Sequence, residues 1–357
     1  MNDQSKISKW KRWVHPGQIR YFALEWWLMR LGFAIVVYHS FLAAGYHALN
    51  WAGSPGRGAD FMTQPKPRGI AQFVDVTWIN QPENIPQVAA AVGILLVLFI
   101  LGRTPVIASL GLAYLHTVLG TLENSQGNNI WHTSQIVVVG LLGVGLAGIA
   151  EYVGALRRNG LAGLKDRLLD RWRWPLYLLK NPRAIINPPA SPIEETEEKG
   201  RSLSIYLVQQ LIATAYVVSG ISKLWISKGA WFKDVQFIGL QFDKNRLLKY
   251  YQTLQEPDAI RWAADAVNNH PTLASFLFSI GLLLELFCFI ALFNRGLLAL
   301  FGVGLAVMHL MIAQIMVLKF FYNEWMLAIF YVNVPFWILM AIRGKRCRQE
   351  FEAKTHA

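Results

Sequence analysis

Residues 207–231, LVQQLIATAYVVSGISKLWISKGAW, decide the fold. Beyond Gln209 and Gln210 the run is apolar or small until Lys223, and with the residues before it the segment is long enough to cross a bilayer. A lysine in a span costs about 2.5–3.5 kcal/mol on insertion scales, so Lys223 either snorkels to the surface or works where it stands.

The rest of the chain has the same character. Of 357 residues, 54% are hydrophobic and only 16% charged, with 14 Trp, whereas soluble chains carry about 25% charged residues. The fold class expected is all-α: a polytopic integral membrane helix bundle of about eight spans, near 25–47, 86–102, 104–122, 133–154, 202–225, 272–293, 296–318 and 321–342. Gly102-Arg103-Thr104-Pro105 and Asn294-Arg295-Gly296 read as tight turns between paired spans.

The net charge of +12 fits basic residues flanking spans, and no motif points to nucleic acid. With the N-terminus inside, 22 Lys and Arg fall on the cytoplasmic side and about 10 outside, so both termini are expected in the cytoplasm. The resulting layout is a basic N-terminus (1–24), a transmembrane domain (25–342) and a basic tail (343–357). Within the domain lie a cytoplasmic loop at 155–201 and outer loops at 48–85 and 226–271. The expected location is the inner or plasma membrane, with lipids as surroundings. The polar, basic first 24 residues do not read as a cleavable leader.

The outer loop at 48–85 is rich in Gly and Pro and reads as irregular. In 226–271, Val235, Ile238, Leu240, Phe242, Leu247, Tyr250 and Leu254 alternate with charges, the pattern of short amphipathic helices on a membrane surface. In the cytoplasmic loop, Arg171-Trp-Arg-Trp-Pro reads as an interfacial anchor. The acidic run Glu194-Glu195-Thr-Glu-Glu198 reads as a solvated linker, and no metal site is expected. Cys288 and Cys347 form no CxxC or disulfide framework.

Function has to be sought among ionisable residues at depth, which usually face the bundle interior. Arg30, His39, His116, Lys223, Glu285 and His309 fall within spans; His47, His132 and Glu324 fall at span ends. Topology places His116, His132, Lys223, His309 and Glu324 in the outer half, enough for one outward-facing polar chamber, with Glu285 deeper. Each also has a plain structural role open to it. Arg30 can snorkel, His39 and His47 can bond within the bundle, His132 and Glu324 can serve span ends, and Glu285 and His309 can pair with each other.

The run Tyr216-Val-Val-Ser-Gly220-Ile-Ser-Lys223-Leu224, followed by Trp231, resembles the vitamin K-dependent gamma-carboxylase and its bacterial relatives with the horizontally transferred transmembrane (HTTM) domain. Arg30-Leu-Gly32, Asn128-Asn129-x-x-His132, Leu284-Glu285-Leu286, His309-Leu310 and residues 320–326 resemble other family segments in the same order. The Asn-Asn-His spacing is two residues longer than the family's. The resemblance implies a lyase-type, quinol-dependent enzyme in which Lys223 is the base that deprotonates a reduced, vitamin K-like quinone and His132 assists. It also implies a site bounded by Tyr216, His116, Glu285, His309, Trp225 and Trp231, acting on a peptide or lipid-soluble substrate. A non-enzymatic membrane scaffold, assembly or peptide-maturation subunit with a peptide or membrane-protein partner remains the alternative. A transporter is disfavoured by the lack of a visible inverted repeat.

Overall fold

The computed structural model describes residues 21, 23–42, 66–81, 83–125, 134–180, 192–316 and 320–341. Among these the secondary structure is helical throughout. In order, the helices are α1 (Ala23–Phe41), α2 (Ile85–Leu101), α3 (Pro105–Asn124), α4 (Gln135–Lys180), α5 (Pro192–Ile226) and α6 (Trp231–Asp234). They continue with α7 (Ile238–Thr253), α8 (Asp258–Asn269), α9 (Pro271–Leu286), α10 (Arg295–Met316), α11 (Phe321–Phe330) and α12 (Val334–Ala341).

A helix or a broken helix therefore stands at each expected span position. Four are long and apolar enough to cross a membrane: Pro105–Leu122, Gln135–Leu169, Gly200–Ile226 and Arg295–Gln314. The bent pair α11 and α12 would make a fifth, while α2 and α9 are shorter apolar helices. In α1, Glu25, Arg30, Tyr38 and His39 hold down the mean hydropathy. The chain has the make-up of a helical membrane protein. The two termini lie outside the described residues.

Chain contacts divide the protein into two units, Gly17–Gln209 with Asn333–Ala357, and Met1–Pro16 with Gln210–Val332. In the first unit, α2 and α3 form the hairpin read from Gly102. That glycine takes φ 67°, and its amide closes the end of α2 on Leu98 and Phe99, as a left-handed helix cap requires. The Arg30 guanidinium lies directly over Gly102, where a Cβ would collide with it. Arg30 also lies 5.5 Å over the Trp26 ring. Its cation thus sits at the C-terminal end of a helix, where the dipole favours it.

Small residues let these helices approach closely. Gly145 packs on Leu110, Gly148 on Val106, and Gly143 against the backbone of Val208. The core between them holds Phe33, Phe99, Leu112, Leu141 and Ile205. Two buried polar ties add register: Tyr21 and Gln209 share hydrogen bonds of 3.0–3.2 Å, and Asn333 donates to Glu25 at 2.6 Å.

The segment expected as the loop 155–201 is helical over much of its described length. Helix α4 kinks at Asn159 and Gly160, the latter at φ 60°, and continues to Lys180; α5 starts at Pro192, ahead of the acidic run. The Arg167–Glu151 ion pair, 2.8 Å and buried, ties the two limbs across the kink. In the segment before α2, Asp75 accepts the Thr77 amide (2.8 Å) and hydroxyl (2.7 Å). Both bonds hold its carboxyl below the usual carboxylate range, the amide most.

In the second unit the 226–271 segment is helical, as its pattern indicated. Phe242 of α7 and Ile260, Ala263 and Ala264 of α8 make a small core, closed by Ile238, Val267, Phe278 of α9 and Met316 of α10. Helix α9 tightens after Leu286 into a 3-10 turn, Cys288–Phe293. There the buried Cys288 Sγ lies 3.5 Å from Tyr331 Oη at the end of α11.

A methyl at Gly143 would stand 2.8–2.9 Å from Val208 backbone atoms, whereas one at Gly93 meets nothing. Gly143→Ala is expected to lower stability by about 1–3 kcal/mol through overpacking. Gly93→Ala should be neutral or stabilising by up to about 1 kcal/mol from helix propensity. Thermal unfolding of the purified protein in one detergent compares the two.

Candidate functional site

Lys223 occupies the last turns of α5, and the chain reverses immediately after it. Lys228 takes φ 51° and Gly229 φ 80°. The Gly229 amide bonds to Leu224 O at 2.8 Å and the Lys228 amide to Trp225 O at 3.0 Å. This left-handed helix ending sends the chain back so that Trp231, at the start of α6, covers the ammonium. Lys223 Nζ lies 5.8 Å from the centre of the Trp231 ring, a cation–π contact.

The ammonium does not reach outward. It donates to both carboxylate oxygens of Glu285, at 2.6 and 2.5 Å. The Lys223 side chain is 33% exposed and that of Glu285 only 4%. Ser219, one turn before Lys223 on α5, stands on the same helix face beside this carboxyl group. Gly220 faces the Leu286 side chain and Glu285 Cβ at 3.0–3.4 Å, so α5 and α9 approach closely at this level.

Sequence reading set Glu285 deeper than Lys223; the structure joins them. The cause lies in α9. Its Phe278 belongs to the core of α7 and α8, so the first turns of α9 are taken up by packing on that segment. Glu285 consequently meets Lys223. Nor do Glu285 and His309 pair with each other.

His309, on α10, bonds instead through Nε2 to Tyr216 Oη at 2.8 Å, and Phe320 packs against its ring with centroids 4.8 Å apart. Asn323 Nδ2, which can only donate, reaches Tyr216 Oη at 3.4 Å. The buried Tyr216 hydroxyl proton then goes to His309 Nε2, which leaves the ring hydrogen on Nδ1. His309 Nδ1 and Trp231 Nε1 are both buried without a hydrogen-bond partner. Lys223 acts on His309 electrostatically.

The structure thus brings together Lys223, Glu285, Trp231, Tyr216 and His309 in one unit. Trp225, expected in the wall, is 83% exposed and does not line the group. His116 belongs to the other unit, where its Nε2 lies 3.0 Å from Ser40 Oγ. Ser40 gives its own proton to Val37 O, so His116 donates, and this buried pair reads as bundle structure. His132 and His47 lie outside the described residues. His39 is exposed on α1. A cavity of about 470 Å³ in the first unit is lined by Glu151, Arg158, Asp166, Arg167 and Gly200, so it is not made by the Lys223 group.

Two participants escaped the sequence reading. Ser219 carried a usable signal, because residues four apart share a helix face. Asn323 carried none beyond its place in the 320–326 segment. No group of three metal-ligating side chains is found among the described residues. Comparison with known proteins gives no matching family model, curated protein or solved structure.

Removing one partner of a desolvated ion pair leaves an uncompensated charge. Glu285→Ala should therefore cost about 3 kcal/mol, the low end of the usual range because Lys223 is partly exposed. The double variant Lys223→Met, Glu285→Leu should recover most of that loss. Unfolding temperatures of the two variants in one detergent measure it; equal losses would show that the pair is not coupled.

Proposed function

We propose that the chain is a multi-pass protein of the cell membrane whose Lys223–Glu285 group handles a proton for a lipid-soluble substrate, in the manner of the vitamin K-dependent carboxylase it resembles. The observation that carries this reading is an ammonium on a buried carboxylate between apolar helices, with two partnerless buried N–H groups beside it. Eight spans with cytoplasmic termini are part of the same proposal, supported by 22 Lys and Arg inside against about 10 outside.

The residues present fit a reduced quinone. Trp231 and Phe320 offer aromatic faces, and His309 Nδ1 and Trp231 Nε1 offer hydrogen-bond donors to oxygen. When bound, such a group supplies an acidic hydroxyl and a reducing ring. The chain's own part is proton management. Lys223 Nζ accepts a proton only after releasing one, and Glu285 is the acceptor already bonded to it. In an apolar site the neutral amine and acid compete with the ion pair, because separated charge is costly there. Trp231 covers one side of the amine. His132 remains the assisting residue that the resemblance implies, and a peptide is the second substrate it implies.

The non-enzymatic reading has one observation in its favour: Lys223 satisfies both oxygens of Glu285, as a purely structural pair would. Substitution separates the two. In nanodiscs supplied with reduced vitamin K and oxygen, the wild-type protein should consume the quinol. Lys223→Ala should lower the rate by about 10²–10⁴, the usual contribution of a general base, with helix content unchanged by circular dichroism. Lys223→Arg should be as inactive, because arginine does not give up its proton. Full activity in either variant would sink the enzymatic reading, and a tolerated Lys223→Arg with a stoichiometric co-purifying partner would establish the scaffold.

A further inference from the structure

The helices between α5 and α9 carry two apolar faces, and their own core uses only one of them. On α7 the inward face is Ile238, Phe242 and the Asn245 side chain, which donates to Met316 O at 3.0 Å. Leu240, Leu247 and Tyr251 fall at i, i+7 and i+11, which puts them together on the opposite side of a helix of 3.6 residues per turn. They are 70%, 49% and 74% exposed, with Leu254 equally bare just past the helix end. Helix α8 repeats the arrangement, with Ile260, Ala263 and Ala264 inward and Trp262 exposed on the other side.

What covers this face is set by where the segment is tethered. It leaves a membrane-type helix at Ile226 and re-enters an apolar helix at Pro271, so both ends are fixed at the level where spans end. The exposed apolar surface runs on at both tethers, through Trp225 and Ile226 on one side and Leu273, Phe276 and Leu277 on the other. Lys244 flanks this face on α7 and Arg261, paired with Asp265, flanks it on α8; both have stems long enough to keep their charges in water. An aromatic and leucine face edged by basic residues is what the headgroup–acyl boundary accepts, about 5–10 Å deep.

We infer that the outer face of α7 and α8, led by Leu240, Leu247, Tyr251, Leu254 and Trp262, is embedded in the lipid interface and forms a bilayer-resting collar beside Lys223. Its partner is a lipid surface. Of the sequence pattern, Leu240, Leu247 and Leu254 lie on this face, joined by Tyr251 and Trp262, whereas Ile238 and Phe242 are consumed internally.

The test uses the full chain in phosphatidylcholine nanodiscs, with Cys347→Ser to leave only the buried Cys288. Spin labels are placed singly at Leu247→Cys, Tyr251→Cys and Leu254→Cys, and at the exposed polar Gln252→Cys as control. Power saturation against oxygen and a water-soluble nickel chelate should give an oxygen-to-nickel accessibility ratio several-fold higher on the apolar face than at Gln252. Equal ratios would place the face in water and overturn the inference. Protection from both reagents would also overturn it, since that result means a second copy or a partner protein covers the face. The readout needs no catalytic turnover, so it stands or falls separately from the quinol assay.

Discussion

The contact between Lys223 and Glu285 constrains more of this protein than any other. Each charge, taken from water alone, would cost several kcal/mol, and the attraction that offsets this is roughly 4 kcal/mol at 4 Å for an effective dielectric near 20. The balance holds only if both oxygens and the ammonium are satisfied and the helices stay close. That need explains Gly220 facing Glu285 and Leu286, the turn at Lys228 and Gly229 that returns Trp231 over the amine, and Ser219 standing beside the same carboxyl. Relaxing any of these would admit water or open the pair.

The first unit obeys a different rule. Its helices are held by close approach at Gly143, Gly145 and Gly148, because apolar side chains gain little from one another when lipid is the alternative. Its buried polar groups are paired off in twos: Tyr21 with Gln209, Glu25 with Asn333, Ser40 with His116. These ties set register. In the second unit His309 Nδ1 and Trp231 Nε1 are buried without a hydrogen-bond partner close to the Lys223–Glu285 pair, and a buried donor without an acceptor is costly enough to need a reason.

Much of the architecture was legible because hydropathy and turn chemistry are local. Gly102 announced the α2–α3 hairpin, and the alternation after Val235 announced helices. The helices within 155–201 were not legible for an equally local reason. In a chain judged by apolar runs, a charged helix looks like a loop, and only the kink at Asn159 and Gly160 separates the two halves of α4. The site was half legible. Lys223 stood out as a charge where none belongs, but Glu285 is 62 positions away, and no spacing rule connects them. Their meeting depends on how much of α9 is used up packing Phe278 under α7 and α8, which is a tertiary fact.

The irregular backbone beside the pair bears on what the pair is for. Helix α9 loses its α-geometry directly after Leu286, and α11 ends where Tyr331 meets Cys288. Backbone of this kind is tolerated at membrane depth only inside protein or along a polar cavity, and Cys288 and Tyr331 are both fully buried. Two interrupted helices therefore end in the protein interior, one turn from a buried carboxylate. A structural ion pair alone would be served as well by continuous helices, with every backbone group bonded. Broken helices next to a charge pair and two unanswered donors support the proposal that this group handles a substrate.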